Sequence, residues 1–169
     1  TFSRENKSKA QEFDLNEALT SALSIIAAQA RVKAVEVVQE FASLPLLLGD
    51  KNQIQQVIIN LCNNAIDAMP NGGKIAVRTR GDTMDGKQGI VLEVEDNGSG
   101  IPEEIRGKVF NPFFTTKAVG KGTGLGLSLV HEIIQKHNGK IELKSIVGQG
   151  ATFTITFPAK EAGQNANAG

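Results

Sequence analysis

Three asparagines fall within five residues of one helical segment, at Asn60, Asn63 and Asn64. On an ideal wheel of about 100° per residue, Asn60, Asn64 and Asp67 share one narrow stripe. Ile54, Val57, Ile58, Leu61, Ala65 and Ala68 fill a broad apolar face beside it. Asparagine is a poor helix former, so this recurrence calls for a reason beyond local propensity. Neutral amide oxygens suit a magnesium ion whose charge is already balanced by phosphates and whose shell keeps waters. The same pattern is also compatible with a solvated helix face.

Two glycine-bearing segments carry other chemistry. Glu95-Asp96-Asn97-Gly98-Ser99-Gly100-Ile101-Pro102 closes a strand. An aspartate there can accept a hydrogen bond from an exocyclic amine, and glycines at 98 and 100 let the backbone approach a flat ring. Asp-Asn-Gly also makes an ordinary turn. Gly120-Lys121-Gly122-Thr123-Gly124-Leu125-Gly126-Leu127 enters a helix, where bare amides and the helix dipole hold phosphate oxygens. No strand directly precedes it and no Gly-Lys-Ser or Gly-Lys-Thr closes it, so it is neither the dinucleotide fingerprint nor a P-loop. A flexible glycine linker is the other reading. Upstream, Val109 to Lys117 places three of the eight phenylalanines, Phe110, Phe113 and Phe114, within five residues. Such a loop can anchor by its rings and swing while Lys117 reaches a phosphate, or it can simply be tacked to the core.

These segments need a scaffold to position them. Leu15, Ala18, Leu19, Ala22, Ile25 and Ile26 recur at helical spacing behind a capping Asp14. Val35 to Phe41 and Leu44 to Leu48 read as two strands, and Asp50 as the cap of a helix that runs to about Met69. Further strands are expected at Lys74 to Arg80, Ile90 to Asp96, Lys140 to Ser145 and around Phe153, Ile155 and Phe157. Residues 102–122 read as loop and 123–137 as helix, with Leu125, Leu129, Val130, Ile133 and Ile134 on one side. The expected fold is a two-layer α/β sandwich, its mostly antiparallel mixed sheet covered on one face by about three helices.

Eighteen basic and eighteen acidic residues cancel without a basic stripe, which argues against nucleic acid as a partner. No apolar stretch approaches the roughly 20 residues of a membrane helix, so no membrane contact is expected. Cys62 is the only cysteine, and a reducing, cytoplasmic setting fits. Residues 1–11 read as a linker, 12–159 as the folded unit and 160–169 as a disordered tail.

The order and spacing of the motifs are more telling than any one of them. Asn60-Leu61-Cys62-Asn63-Asn64-Ala65, Asp96-Asn97-Gly98-Ser99-Gly100, Phe110-Asn111-Pro112-Phe113-Phe114 and Gly122-Thr123-Gly124-Leu125-Gly126-Leu127 resemble the N, G1, F and G2 boxes of sensor histidine kinases. With Gly148-Gln149-Gly150-Ala151-Thr152-Phe153 closing the set, the resemblance covers roughly Phe13 to Pro158. The chain is thus similar to the catalytic, ATP-binding domain of a two-component histidine kinase, of the GHKL superfamily with its Bergerat fold.

The resemblance implies ATP and Mg2+ as cofactors and assigns roles by position. Asn64 would coordinate magnesium, and Asn60, at the catalytic position, would contact phosphate or an ion-bound water. Asp96 would receive the adenine amine, Gly98, Gly100 and Ile101 would line the base pocket, and Thr152 would support Asp96 directly or through water. Residues 102–123 would form the lid, with Phe113, Thr116 and Lys117 near the nucleotide, and the amides of Gly122, Thr123, Gly124, Leu125, Gly126 and Leu127 would hold the phosphates.

Relatives in the superfamily that hydrolyse ATP or phosphorylate serine carry Glu where this chain has Asn60. An amide takes no proton near neutral pH, so weak hydrolysis and transfer to a neutral imidazole are expected. His131 and His137 lack the phosphoacceptor pattern and read as structural. The acceptor would lie on a helical dimerisation domain missing from this sequence, with Phe2-Ser3-Arg4 resembling its tail and a response regulator downstream. Asp67 stands where many members carry Lys. The alternatives are a self-sufficient GHKL ATPase, an anti-sigma-type serine kinase, and a non-catalytic binding module.

Overall fold

A computed structural model describes residues 10–84, 86–111 and 126–159. Strand β1 (Gln11–Phe13) leads into helix α1 (Leu15–Val32), capped by the Asp14 carboxylate, which accepts from the N–H groups of Asn16 and Glu17. Leu15, Ala18, Leu19, Ala22, Leu23, Ile26 and Ala30 form its buried stripe. Ile25, expected on that stripe, is 61% exposed because it falls at the margin of the wheel.

Strand β2 (Val35–Phe41) and strand β3 (Leu47–Gly49) precede helix α2 (Lys51–Asp67). Asp50 caps α2 by accepting from the Gln53 N–H at 3.2 Å. The long hairpin of β4 (Gly73–Met84) and β5 (Lys87–Asp96) follows, then a one-turn helix α3 (Glu103–Arg106) inside the segment read as loop. Helix α4 (Gly126–Lys136), β6 (Lys140–Ile146) and β7 (Gly150–Pro158) complete the described chain.

The main sheet has the order β2-β4-β5-β7-β6, parallel between β2 and β4 and antiparallel elsewhere. The expected mixed, mostly antiparallel sandwich is therefore what forms. Ile75 and Val77 of β4, Ile90, Leu92 and Val94 of β5, and Phe153, Ile155 and Phe157 of β7 point to one face. There they share one core with Leu19, Ile26, Ile58, Leu61 and Ile134 of the three long helices. Burying each such side chain contributes about 1.5–3 kcal/mol relative to leaving it in water. The other face is polar: Arg78 meets Glu40, Glu93 and Glu95, and Arg80 reaches Glu93 at 3.5 Å.

Two expectations at the amino-terminal side need correction. The second of the two strands is shorter than Leu44 to Leu48 and begins later; it pairs antiparallel with β1 in a separate ribbon, Phe13 opposite Leu47. Pro45 has no N–H to give a ladder, so pairing starts only past it. Gln11, assigned to the linker, already belongs to that ribbon.

Candidate functional site

Asp96 is the last residue of β5, where alternation along the strand turns it toward the helix layer and leaves it buried, 8% exposed. Its Oδ1 accepts from the Gly98 N–H at 2.8 Å, and the Ala151 N–H also bonds the carboxylate. Burial pushes its pKa above the ordinary carboxylate value, and the Glu95 charge adds to this, while the two backbone donors pull the other way.

Glycine is required beside it. Gly150 has φ +114°, and a side-chain carbon there would run into the Asp96 carbonyl and Asn97. Gly100 has φ +80°, and a Cβ would lie 2.5 Å from the Ile146 carbonyl oxygen. The tight backbone that the sequence assigns to a ligand is thus consumed in part by packing of the 97–101 loop against the β6–β7 turn.

The same loop joins the asparagine helix. The Ser99 N–H donates to the Ala68 carbonyl at 3.3 Å, and Gly98 packs on Ala68 and Met69 just past the end of α2. The Ala68 N–H in turn bonds the Asn64 carbonyl at 3.1 Å, so the N and G1 motifs meet through one helix terminus. Asn60, Asn63 and Asn64 are half-buried, and Asp67 is exposed. The Asn60 Oδ1 accepts from Gln56 Nε2 at 2.7 Å, a bond along one turn that orients the amide.

Thr152 does not stand beside Asp96. It pairs with Glu95 on the polar face of the sheet, whereas Ala151 is the residue in register with Asp96. Alternation along β7 separates the Thr152 hydroxyl from the carboxylate, which is instead supported by the backbone N–H of Ala151.

Ile101 is half-buried, with its N–H bonded to Ser145 Oγ at 2.6 Å. Leu127 is half-buried in the first turn of α4, which begins at Gly126. Phe113, Thr116, Lys117, Gly122, Thr123, Gly124 and Leu125 lie outside the described residues. Of the aromatic loop, Phe110 packs its ring 5.7 Å from that of His131 and edge-on to Phe153 at 6.2 Å.

Both histidines sit in structural contacts. His137 Nε2 accepts from the Asp50 N–H at 3.0 Å while Nδ1 lies 2.8 Å from the Ile133 carbonyl, which fixes Nδ1 as the protonated nitrogen. Among the described residues no three His, Cys, Asp or Glu side chains converge to hold a metal ion. Sequence reasoning missed Arg106 and Ser145, whose contacts arise only from how β6 meets the 97–106 segment.

The family model described as histidine kinase-, DNA gyrase B-, and HSP90-like ATPase matches residues 49–161. The chain is 41% identical to sensor kinase CckA of Brucella abortus (strain 2308), over 93% of this chain and 18% of that protein. It is 37% identical to the signal transduction histidine-protein kinase AtoS of Escherichia coli (strain K12), over 96% of this chain and 26% of that one. It thus spans about a fifth to a quarter of the length of these relatives. Among solved structures, the catalytic domain of histidine kinase ThkA superposes with a TM-score of 0.77 at 34% identity, covering 89% of this chain and 96% of that domain.

Proposed function

The chain belongs to the histidine kinase-, DNA gyrase B-, and HSP90-like ATPase family, and from that premise we propose that it is the Mg-ATP-binding catalytic unit of a cytoplasmic sensor histidine kinase domain. It hands the γ-phosphoryl group of ATP to a histidine on a separate helical dimerisation domain, for onward transfer to a response regulator. The observation that carries this reading is the buried Asp96 carboxylate, held by backbone N–H groups beside a glycine loop that packs on the asparagine helix.

An ionised carboxylate only accepts hydrogen bonds, so Asp96 is matched to the 6-amino group of adenine and opposed to the 6-oxo group of guanine. Gly98, Gly100 and Ile101 border the base, and Asn60 and Asn64 face the triphosphate end. Magnesium, when bound there, neutralises phosphate charge. Asn64 supplies its amide oxygen as a ligand, while Asn60 orients phosphate or an ion-bound water without taking a proton. Phe113, Thr116, Lys117 and the amides from Gly122 to Leu127 keep the roles implied by the resemblance. Catalysis is then positioning and charge neutralisation, with an acceptor imidazole that needs no base.

Asn60 also separates this reading from the self-sufficient ATPase and the serine kinase, which need a general base there. Among the described residues no helix is long and apolar enough to cross a membrane. The test is calorimetric titration with a non-hydrolysable ATP analogue, with and without magnesium, and with the GTP analogue. Magnesium-dependent binding that excludes GTP is the expected result; no binding under any condition overturns the proposal in favour of an interaction module.

A further inference from the structure

The loop that follows Asp96 contains two glycines and belongs to no strand or helix, yet its backbone is pinned at successive points. Ser99 is held on both sides, its N–H by Ala68 and its carbonyl by the Gly148 N–H at 2.8 Å. Ile101 is held by two side chains. Its N–H donates to Ser145 Oγ at 2.6 Å, and its carbonyl accepts from Arg106 Nε at 3.3 Å. The Ser145 hydroxyl donates onward to the Gly150 carbonyl at 2.9 Å, and Arg106 Nη2 reaches the Ser145 carbonyl at 2.5 Å.

Ser145 is one of only three buried polar or charged residues among those described, with Thr79 and Asp96. Its backbone pairing with Ala151 across β6 and β7 needs no hydroxyl. Both partners of that hydroxyl border Asp96: Gly150 abuts the Asp96 carbonyl, and Ile101 ends the loop that starts there. Arg106 adds a fork of donors that spans two carbonyls, a geometry that a lysine point charge cannot reproduce.

Resting on the nucleotide reading above, we infer that Ser145 and Arg106 are positioning residues for the purine ring. Together they clamp Ile101 to the β6–β7 hairpin, so that the loop wall and the Asp96 carboxylate keep a fixed separation. Neither touches the phosphates in this arrangement. Loss of the clamp loosens recognition of the base and leaves the magnesium contribution intact.

The experiment titrates the 169-residue chain and its variants with non-hydrolysable ATP and GTP analogues, with and without magnesium, beside hydrogen exchange at the Ile101 amide. Ser145→Ala and Arg106→Ala are expected to weaken ATP-analogue binding about tenfold and to shrink the ATP over GTP preference by the same factor. The factor by which magnesium tightens binding stays at the wild-type value, and the Ile101 amide exchanges faster in Ser145→Ala. Ser145→Thr restores binding and Arg106→Lys restores it only in part. Ile90→Ala, a core change opposite Phe157 and toward the far end of β5 from Asp96, controls for general loss of stability. Unchanged ATP binding, or loss of base preference and magnesium dependence together in step with melting temperature as in Ile90→Ala, overturns the inference while the nucleotide reading stands. A wild-type chain that binds no analogue overturns both.

Discussion

Asp96 of β5 stands directly opposite Ala151 of β7, not opposite Thr152. The side chain beside the carboxylate is therefore a methyl group, and the hydrogen bond from β7 comes from the main chain. No substitution at 151 can delete that donor except proline, so side-chain changes on β7 tune the pocket wall without disarming Asp96.

The raised pKa of Asp96 has a sign that can be checked. Burial favours its protonated form in the folded state, so its ionisation costs stability as pH rises from the ordinary 3.8 through the higher folded value. Below the ordinary value the cost is absent. In Asp96→Asn this titration is gone, so the melting temperature of the wild type relative to the variant should rise on acidification from pH 7 toward 4. The same variant should lose its preference for the ATP analogue over the GTP analogue.

Asn64→Ala should fold normally and lose the magnesium-dependent part of ATP affinity, a drop of about tenfold or more. Asn60→Glu supplies the missing carboxylate, and steady ATP hydrolysis by the variant should exceed the weak turnover of the parent chain. Both are read by titration and by phosphate release.

Gly150→Ala forces a non-glycine residue to φ +114° and drives its Cβ into the Asp96 carbonyl. A loss of roughly 2 kcal/mol or more in urea unfolding is expected. Gly81→Ala, whose nearest neighbour would be the Gly89 carbonyl at 3.9 Å, should be near neutral.

His137→Ala leaves the Asp50 N–H without its acceptor at the start of α2 and opens space beside Phe157. A cost of about 1–3 kcal/mol follows from the unpaired donor. Denaturant midpoints of the variant and the parent measure it.

The Cys62 thiol is fully buried, and burial pushes its pKa up to about 12. Alkylating reagents should modify it only on unfolding, at a rate that rises with denaturant. Fast labelling of the folded chain would contradict that burial.

Much of the sheet was legible in the sequence because two-residue alternation needs only neighbours along the chain. Val35–Phe41 emerges with the expected bounds, and Phe153, Ile155 and Phe157 turn inward as their spacing requires. The caps Asp14 and Asp50 were equally readable, since a carboxylate bonding the N–H groups of the next turn is a local event. The motif series Asn60–Asn64, Asp96–Gly100 and Gly122–Leu127 pointed to a nucleotide through its order and its resemblance to the boxes of sensor histidine kinases.

Tertiary structure decided what depends on distant partners. The register of β5 with β7 set Ala151 rather than Thr152 beside Asp96, and slipping it by one residue would reverse that choice. The β1–β3 ribbon joins residues more than thirty apart, which no periodicity announces. Ser145 and Arg106 are ordinary residues in the sequence, and they acquire meaning only because β6 lies beside the end of β5's loop, where one buried hydroxyl and one guanidinium satisfy a backbone that glycines had left free.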